Sequence, residues 1–310
     1  MKQIRKDYLL ERYCIISEKR GKRPHDFKRK IEISKGIDYF APENENLTPK
    51  ETYRVGNKIW QIRTFPNKFA AVENKGKKEF ETHDNYYKFA AAYGFHEVIV
   101  ETRSKIKMLS DLSEEHVVKV LETYSQRIDA LEKKKGIKYV TVFKNKGSEA
   151  GTSIIHSHSQ LIAYNQIPPL VKEKIEKSTK GHCKYCEIIE KEQNSERKIL
   201  ETENIASFTP YCSIEPYHAM IFPKRHVKRL SELNKQEKLD IAKAIIKILG
   251  KLKEINASYN LILHYSPRKE NLHLQIEIIP RLAIWAGFEL GTGTYIISVS
   301  PETAAEYYRK

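Results

Sequence analysis

The chain has only four cysteines in 310 residues, too few for a disulfide framework at this size. No apolar run approaches the roughly 18 residues of a membrane-spanning helix, so no membrane partner is expected. The N-terminus, Met-Lys-Gln-Ile-Arg-Lys-Asp, lacks the apolar core of a signal peptide, which points to the cytoplasm. Zinc-finger, RRM-like and basic-zipper patterns are missing as well. What is present is the composition of an ordinary soluble globule, 40% hydrophobic and 31% charged. Its length suits one large domain or two of about 150 residues.

The 55 basic residues outnumber the 40 acidic ones, for a net charge of +15. A lysine-rich surface, a phosphorylated small ligand and nucleic acid all fit that excess. The interleaving of lysines with glutamates along the chain argues against nucleic acid.

In order, residues 8–17 read as an opening strand, followed by a basic turn over 18–26 that carries Arg20 and Arg23. The planar fork of arginine suits phosphate oxygens. A loop over 37–50 leads to strands at 58–63 and 69–73, joined through Phe65-Pro-Asn67-Lys68, and then to a strand at 97–101. The spacing of Val117, Leu121, Tyr124, Ile128 and Leu131 predicts a helix over 113–135, capped by Ser113 and stopped by Gly136. A strand at 139–143 follows.

The same order then returns, with strands at 205–208 and 218–222, a helix carrying Ile241, Ile245, Ile248, Leu252 and Ile255, and strands at 259–263 and 272–279. This is an internal duplication of two α+β halves of about 120 residues each. The expected domains are 1–165 and 166–310, with a short helix in the connector after Pro168-Pro169.

The chemistry concentrates in residues 145–160, Asn-Lys-Gly-Ser-Glu-Ala-Gly-Thr-Ser-Ile-Ile-His-Ser-His-Ser-Gln. Asn145, Gly147, Gly151 and Ser153 form a glycine-punctuated turn whose backbone N–H groups suit an anion. His156, His158 and Gln160 follow at alternate positions and share one face of a strand. A half-exposed strand with chance histidines is the alternative. The duplication separates the two imidazoles, because His273, Gln275 and Glu277 hold the corresponding places. An amide is neither nucleophile nor titratable, so catalysis is expected in the first half only. The second half brings Cys183, Cys186, His226 and His273, two thiolates and two imidazoles that suit a closed, structural, tetrahedral zinc ion. A redox pair of Cys183 and Cys186 is the alternative. The first half has Asp38 and Ala41 where the cysteines would fall.

Asn145-Lys-Gly-x-x-x-Gly-x-Ser153 followed by His156-x-His158-x-Gln160 resembles the signature of the galactose-1-phosphate uridylyltransferases, a branch of the histidine-triad superfamily. Arg20-Gly-Lys-Arg23-Pro24 resembles their N-terminal substrate-binding turn, Phe65-Pro-Asn67-Lys-Phe-Ala-Ala71 their nucleotide-side loop, and Gly287-Phe-Glu-Leu290 with Ser300-Pro-Glu302 their C-terminal segment.

The resemblance implies α+β architecture of tandem histidine-triad-like halves, with mostly antiparallel sheets and packed helices, and a homodimer. It implies that His158 takes a nucleoside monophosphate, UMP in the first reading, from a nucleoside diphosphate sugar and passes it to a sugar 1-phosphate. Arg20, Arg23, Asn145 and Ser153 would hold the pyrophosphate and His156 would orient the nucleophile. Gln160 in place of a third histidine goes with transfer rather than hydrolysis. Three departures stand out: Asp38, Ala41 and Lys105 replace the first-half Cys, Cys and His; the second-half Cys-Cys-His-His set resembles that of ADP-glucose phosphorylases; and Ala283 lies where a lysine often contacts hexose phosphate. A phosphorylase with inorganic phosphate as acceptor, cleaving ADP-glucose or a dinucleoside polyphosphate, is therefore the second reading. A non-catalytic nucleotide- or nucleic-acid-binding protein is the third.

Overall fold

Apolar residues that alternate in short runs make half-buried strands, and those that recur at three and four make amphipathic helices. Both patterns are realised in the computed structural model, which describes residues 2–18, 36–179 and 181–310. Strands β1 (Gln3–Lys6) and β2 (Tyr13–Ile16) precede β3 (Tyr53–Val55), β4 (Ile62–Pro66), a small β5 (Glu81–Thr82) and β6 (Lys88–Phe89) hairpin, and β7 (Gly94–Val100). Helix α1 (Glu114–Glu132), β8 (Tyr139–Lys146) and β9 (His158–Tyr164) complete the first copy. After α2 (Pro169–Ser178) and α3 (Lys184–Glu192), the second copy runs through β10 (Lys198–Glu201), β11 (Ile205–Phe208), β12 (Ala219–Pro223), α4 (Lys235–Glu254), β13 (Tyr259–His264) and β14 (Gln275–Pro280). The chain closes with α5 (Gly287–Thr292), β15 (Thr294–Ile297) and α6 (Pro301–Arg309).

A single 10-stranded sheet carries both copies, in the order β10-β11-β12-β14-β13-β8-β9-β7-β4-β3 with every pairing antiparallel. That order is a palindrome about β13 and β8. Phe143 pairs with Gln160, Ile262 with Glu277, and Phe143 with Ile262, which puts the pseudo-two-fold axis between those central strands. The duplication is thus a physical fusion of two half-sheets.

Helices α1 and α4 pack on each other and over the sheet, burying Val117, Leu121, Tyr124, Ile128 and Leu131 from one and Ile241, Ile245, Ile248 and Leu252 from the other. Each such large apolar side chain contributes about 1.5–3 kcal/mol on burial. Ser113 accepts from the His116 N–H at the start of α1, as its sequence predicts. At α4, Asn234 accepts from the Glu237 N–H while the Glu237 carboxylate accepts from the Asn234 N–H, a reciprocal cap.

Some expected strands differ. The span 8–17 is broken because Asp7 Oδ1 accepts the N–H groups of Leu9 and Leu10, turning the chain so that β1 folds back on β2. The span 58–63 becomes a strand only from Ile62; Gly56, at φ +95°, turns the chain beforehand and lets β3 pair with β4. Residues 69–73 form no strand, since the Phe69 and Ala71 N–H groups go to side chains of Asn67 and His96. Removing the reciprocal cap by Asn234→Ala should lower stability by about 1 kcal/mol, read as a fall in thermal midpoint with unchanged helix content in circular dichroism.

Candidate functional site

The loop between β8 and β9 is held by the other copy. Asn260 on β13 donates to Asn145 Oδ1 (2.9 Å) and to the Ala150 carbonyl (3.0 Å), and Ser258 donates to Glu149. Gly147 has φ +87°, and a Cβ there would lie 2.1 Å from Ser258 Oγ, so only glycine fits this crossing. Gly151, at φ +85°, ends the short turn, with Ser153 exposed just beyond it. A cavity of about 200 Å³ lies between this loop and the second copy, lined by Asn145, Gly147, His158, Lys253 and Asn256. Arg20 and Arg23 lie outside the described residues.

Alternation along the strand then sorts the side chains. His156 and His158 both meet the ring of Phe40, at centroid distances of 6.2 and 5.1 Å. Ser157 and Ser159 point the other way into a buried ionic cluster. There Lys144 Nζ donates to Glu101 Oε2 (2.7 Å), Ser157 Oγ (3.0 Å) and the carbonyl of His158 (3.0 Å), which uses all three ammonium protons. Ser157 donates to Glu101 Oε2 (2.6 Å), and Ser159 and Tyr124 donate to Glu101 Oε1. Burial would raise the Glu101 carboxyl, but Lys144 and these donors hold it below the ordinary range.

His158 Nδ1 donates to the carbonyl of His156 (2.8 Å), which leaves the lone pair on Nε2. Burial, reinforced by the Lys144 ammonium, lowers its pKa to about 4, so the ring is a neutral base and nucleophile near pH 7. His156 thus meets His158 through its backbone. Its own ring is pinned between Asp38 Oδ2 (2.8 Å from Nδ1) and the carbonyl of Thr102 (2.7 Å from Nε2). Gln160 Oε1 lies 2.9 Å from His96 Nε2 and accepts from Asn67 Nδ2 at 3.4 Å.

The second copy converts the same positions differently. Cys183 and Cys186 open α3, His226 follows β12 and His273 precedes β14, and their ligand atoms all lie within 4.8 Å of one another. Cys186 Sγ is 3.6 Å from His226 Nδ1 and 3.5 Å from His273 Nδ1, and Cys183 Sγ is 3.9 Å from the latter. Ligands around a tetrahedral ion of zinc's size sit about 3.3–3.8 Å apart. Both rings donate Nε2–H elsewhere, His273 to the Pro223 carbonyl (2.9 Å) and His226 to Asn271 Oδ1 (2.8 Å), which turns each Nδ1 lone pair inward. Burial and the neighbouring Cys183 push the Cys186 thiol up to about 12, a penalty that a bound cation reverses. The donor chemistry therefore fits a metal ion. In the first copy Asp38 takes the place of the first sulfur against His156, and Lys105 pairs with Glu43.

His96, Phe40, Glu101 and Lys144 escaped the sequence reading. Glu101 and Lys144 carried a faint signal, charges terminating the apolar runs 97–101 and 139–144. Nothing local marked His96 or Phe40, which reach the site through pairing and loop closure.

Comparison with known proteins agrees with this geometry. Residues 1–168 match the family model described as galactose-1-phosphate uridyl transferase, N-terminal domain, and residues 101–308 match a domain of unknown function. The chain is 30% identical to the ADP-glucose phosphorylase of Arabidopsis thaliana over 99% of its own length and 92% of the relative's. It is 28% identical to the galactose-1-phosphate uridylyltransferase of Thermotoga maritima, covering 81% and 85% of the two chains. The crystal structure of an Arabidopsis thaliana ADP-glucose phosphorylase with bound ADP-glucose superposes with a TM-score of 0.85 at 29% identity, over 100% of this chain and 99% of that one. A uridylyltransferase structure superposes at 0.76 with 28% identity, over 100% and 97%.

Elemental analysis should find one tightly held transition-metal ion per chain, lost in Cys186→Ser; two ions per chain would make the Asp38–His156 pair a metal site too. Asp38→Ala, which leaves His156 buried with an unpartnered nitrogen, should cost about 1–3 kcal/mol in denaturant unfolding without changing the metal count.

Proposed function

The chain belongs to the galactose-1-phosphate uridylyltransferase family, and from that premise we propose a double-displacement nucleotidyl transfer carried by His158. The Nδ1–H bond to the His156 carbonyl, which leaves the Nε2 lone pair to a ring that lines the cavity, is the observation on which the reading rests. Nε2 attacks the α-phosphorus of a nucleoside diphosphate sugar, the bond to the bridging oxygen breaks, and the sugar phosphate leaves. The acceptor oxygen then attacks the nucleotidyl-histidine from the vacated side and the imidazole leaves with its electron pair. Lys144, bound to the His158 carbonyl, holds the strand that presents the nucleophile. Gln160 stabilises a non-bridging oxygen without titrating, and the Asn145–Ser153 loop receives the departing phosphate.

The acceptor in this reading is inorganic phosphate and the donor an adenosine diphosphate sugar, as in an ADP-glucose phosphorylase. End-to-end similarity to such an enzyme supports it, with Ala283 where a hexose phosphate would want a lysine. Transfer of UMP to a hexose 1-phosphate is the second reading, favoured by the relationship to uridylyltransferases. Cys183, Cys186, His226 and His273 would hold zinc as a structural ion, which supplies a cross-link tying α3 to the ends of β12 and β14. Exposed Ile284, Phe288 and Leu290 are apolar side chains that a second copy could cover in a homodimer.

Mixing the protein with ADP-glucose should give an adenylyl adduct in the intact mass, discharged by phosphate with release of ADP and absent in His158→Ala. A uridylyl adduct from UDP-glucose that only a hexose 1-phosphate discharges would select the second reading. Failure of every nucleotide sugar to label the wild type would sink both.

A further inference from the structure

We propose that His96 is a positioning residue that fixes which end of the Gln160 amide faces the phosphorus centre. The inference deepens the transfer mechanism above and rests on it for its consequence, though not for its geometry.

An amide side chain can present either its oxygen or its NH2 group, and the two ends have opposite chemistry toward a phosphate oxygen. Only the NH2 end stabilises negative charge. The orientation of Gln160 is therefore a property the site must enforce, and two backbone N–H groups of one loop enforce it. The Ala71 N–H donates to His96 Nδ1 (3.2 Å). Burial keeps the His96 ring neutral, so its single proton must sit on Nε2. That proton is donated to Gln160 Oε1 across 2.9 Å. From the other side, the Phe69 N–H donates to Asn67 Oδ1 (2.8 Å), which leaves Asn67 Nδ2 beside both His96 Nε2 (3.1 Å) and the same Gln160 oxygen (3.4 Å). Because a backbone donor cannot flip, the Ala71 N–H occupies the His96 Nδ1 lone pair, and the neighbouring Nε2–H and Asn67 NH2 share the Gln160 oxygen as their acceptor. The Gln160 oxygen is committed, and its NH2 is the end left for the phosphate.

The second copy provides an internal control. Val98 pairs with Gln160 and Met220 with Glu277, so His96 and His218, each two residues upstream, hold equivalent positions. His218 Nε2 lies 3.1 Å from Glu277 Oε1, a contact in the same strand register but without the alignment of a hydrogen bond. There the partner is a carboxylate, whose two ends are chemically alike and need no orientation. His264 (2.8 Å) and Lys174 (3.4 Å) both converge on the other oxygen of Glu277. The histidine is common to both copies, but only beside an amide does it select an end.

A double-mutant cycle separates orientation from mere packing. His96→Leu should slow single-turnover adduct formation on His158 roughly 10- to 100-fold in the wild-type background, and less than about 2-fold in Gln160→Ala. Equal losses in both backgrounds would overturn the proposal. His96→Gln, which can again donate an N–H to Gln160, should recover much of the rate, covering the case in which the leucine variant folds poorly. Nitrogen-15 spectra of labelled histidine supply a readout independent of any reaction. His96 should show a protonated Nε2 and a bare Nδ1, with the Nε2 proton exchanging slowly and losing that protection in Gln160→Leu. A ring protonated at Nδ1, or protection indifferent to Gln160, refutes the relay even if no nucleotide sugar ever labels the protein.

Discussion

The ion pair between Lys144 and Glu101 is the constraint on which the rest of the site depends. Both side chains are almost wholly buried, and bringing two charges out of water costs several kcal/mol each unless every polar atom finds a partner. Here they do: the ammonium has three acceptors, and the carboxylate receives Lys144, Ser157, Ser159 and Tyr124. The cluster joins β7, β8, β9 and α1 at one point. It also makes register unusually strict. A slip of one residue in β9 would put His158 into the ionic cluster and a serine opposite Phe40. The polar back of the strand therefore specifies the face that presents His158.

Placed on the pseudo-two-fold axis, the two copies solve one structural problem in two ways. The loop before the last strand of each copy must be tied to the chain arriving from elsewhere. In the second copy the Cys183, Cys186, His226 and His273 set can do this through a metal ion, whereas in the first the Asp38–His156 hydrogen bond takes over. The ionic cluster is likewise not repeated: register places Leu263 and Pro223 where Lys144 and Glu101 stand. Lys174 instead reaches in from α2 to Gln275 and Glu277. The second copy has a further role as scaffold, since Asn260 and Ser258 hold the loop between β8 and β9 of the first.

Helices and their ends were legible because the information is local. Ser113 and the spacing from Val117 to Leu131 foretold the start of α1, which ends at Glu132, three residues before the expected limit. Strand limits were less legible where side chains compete for backbone N–H groups. Asp7 breaks the span 8–17 and His96 captures Ala71, and neither acceptor belongs to the run it interrupts. His156 was expected to orient the nucleophile, and it meets His158 through its carbonyl, not through its ring.

By itself the sequence determined the duplicated α+β plan, the candidate motif from Asn145 to Gln160 and the Cys and His residues of the second copy, since each is a matter of residue type and spacing along the chain. Only the tertiary structure decided the surroundings of His158, the contact of Gln160 with His96 and the pairing of Asp38 with the His156 ring. The physical reason is that those properties arise between strands. Glu101, Lys144, His96 and Phe40 are distant from His158 in sequence and reach it only through antiparallel pairing and loop closure.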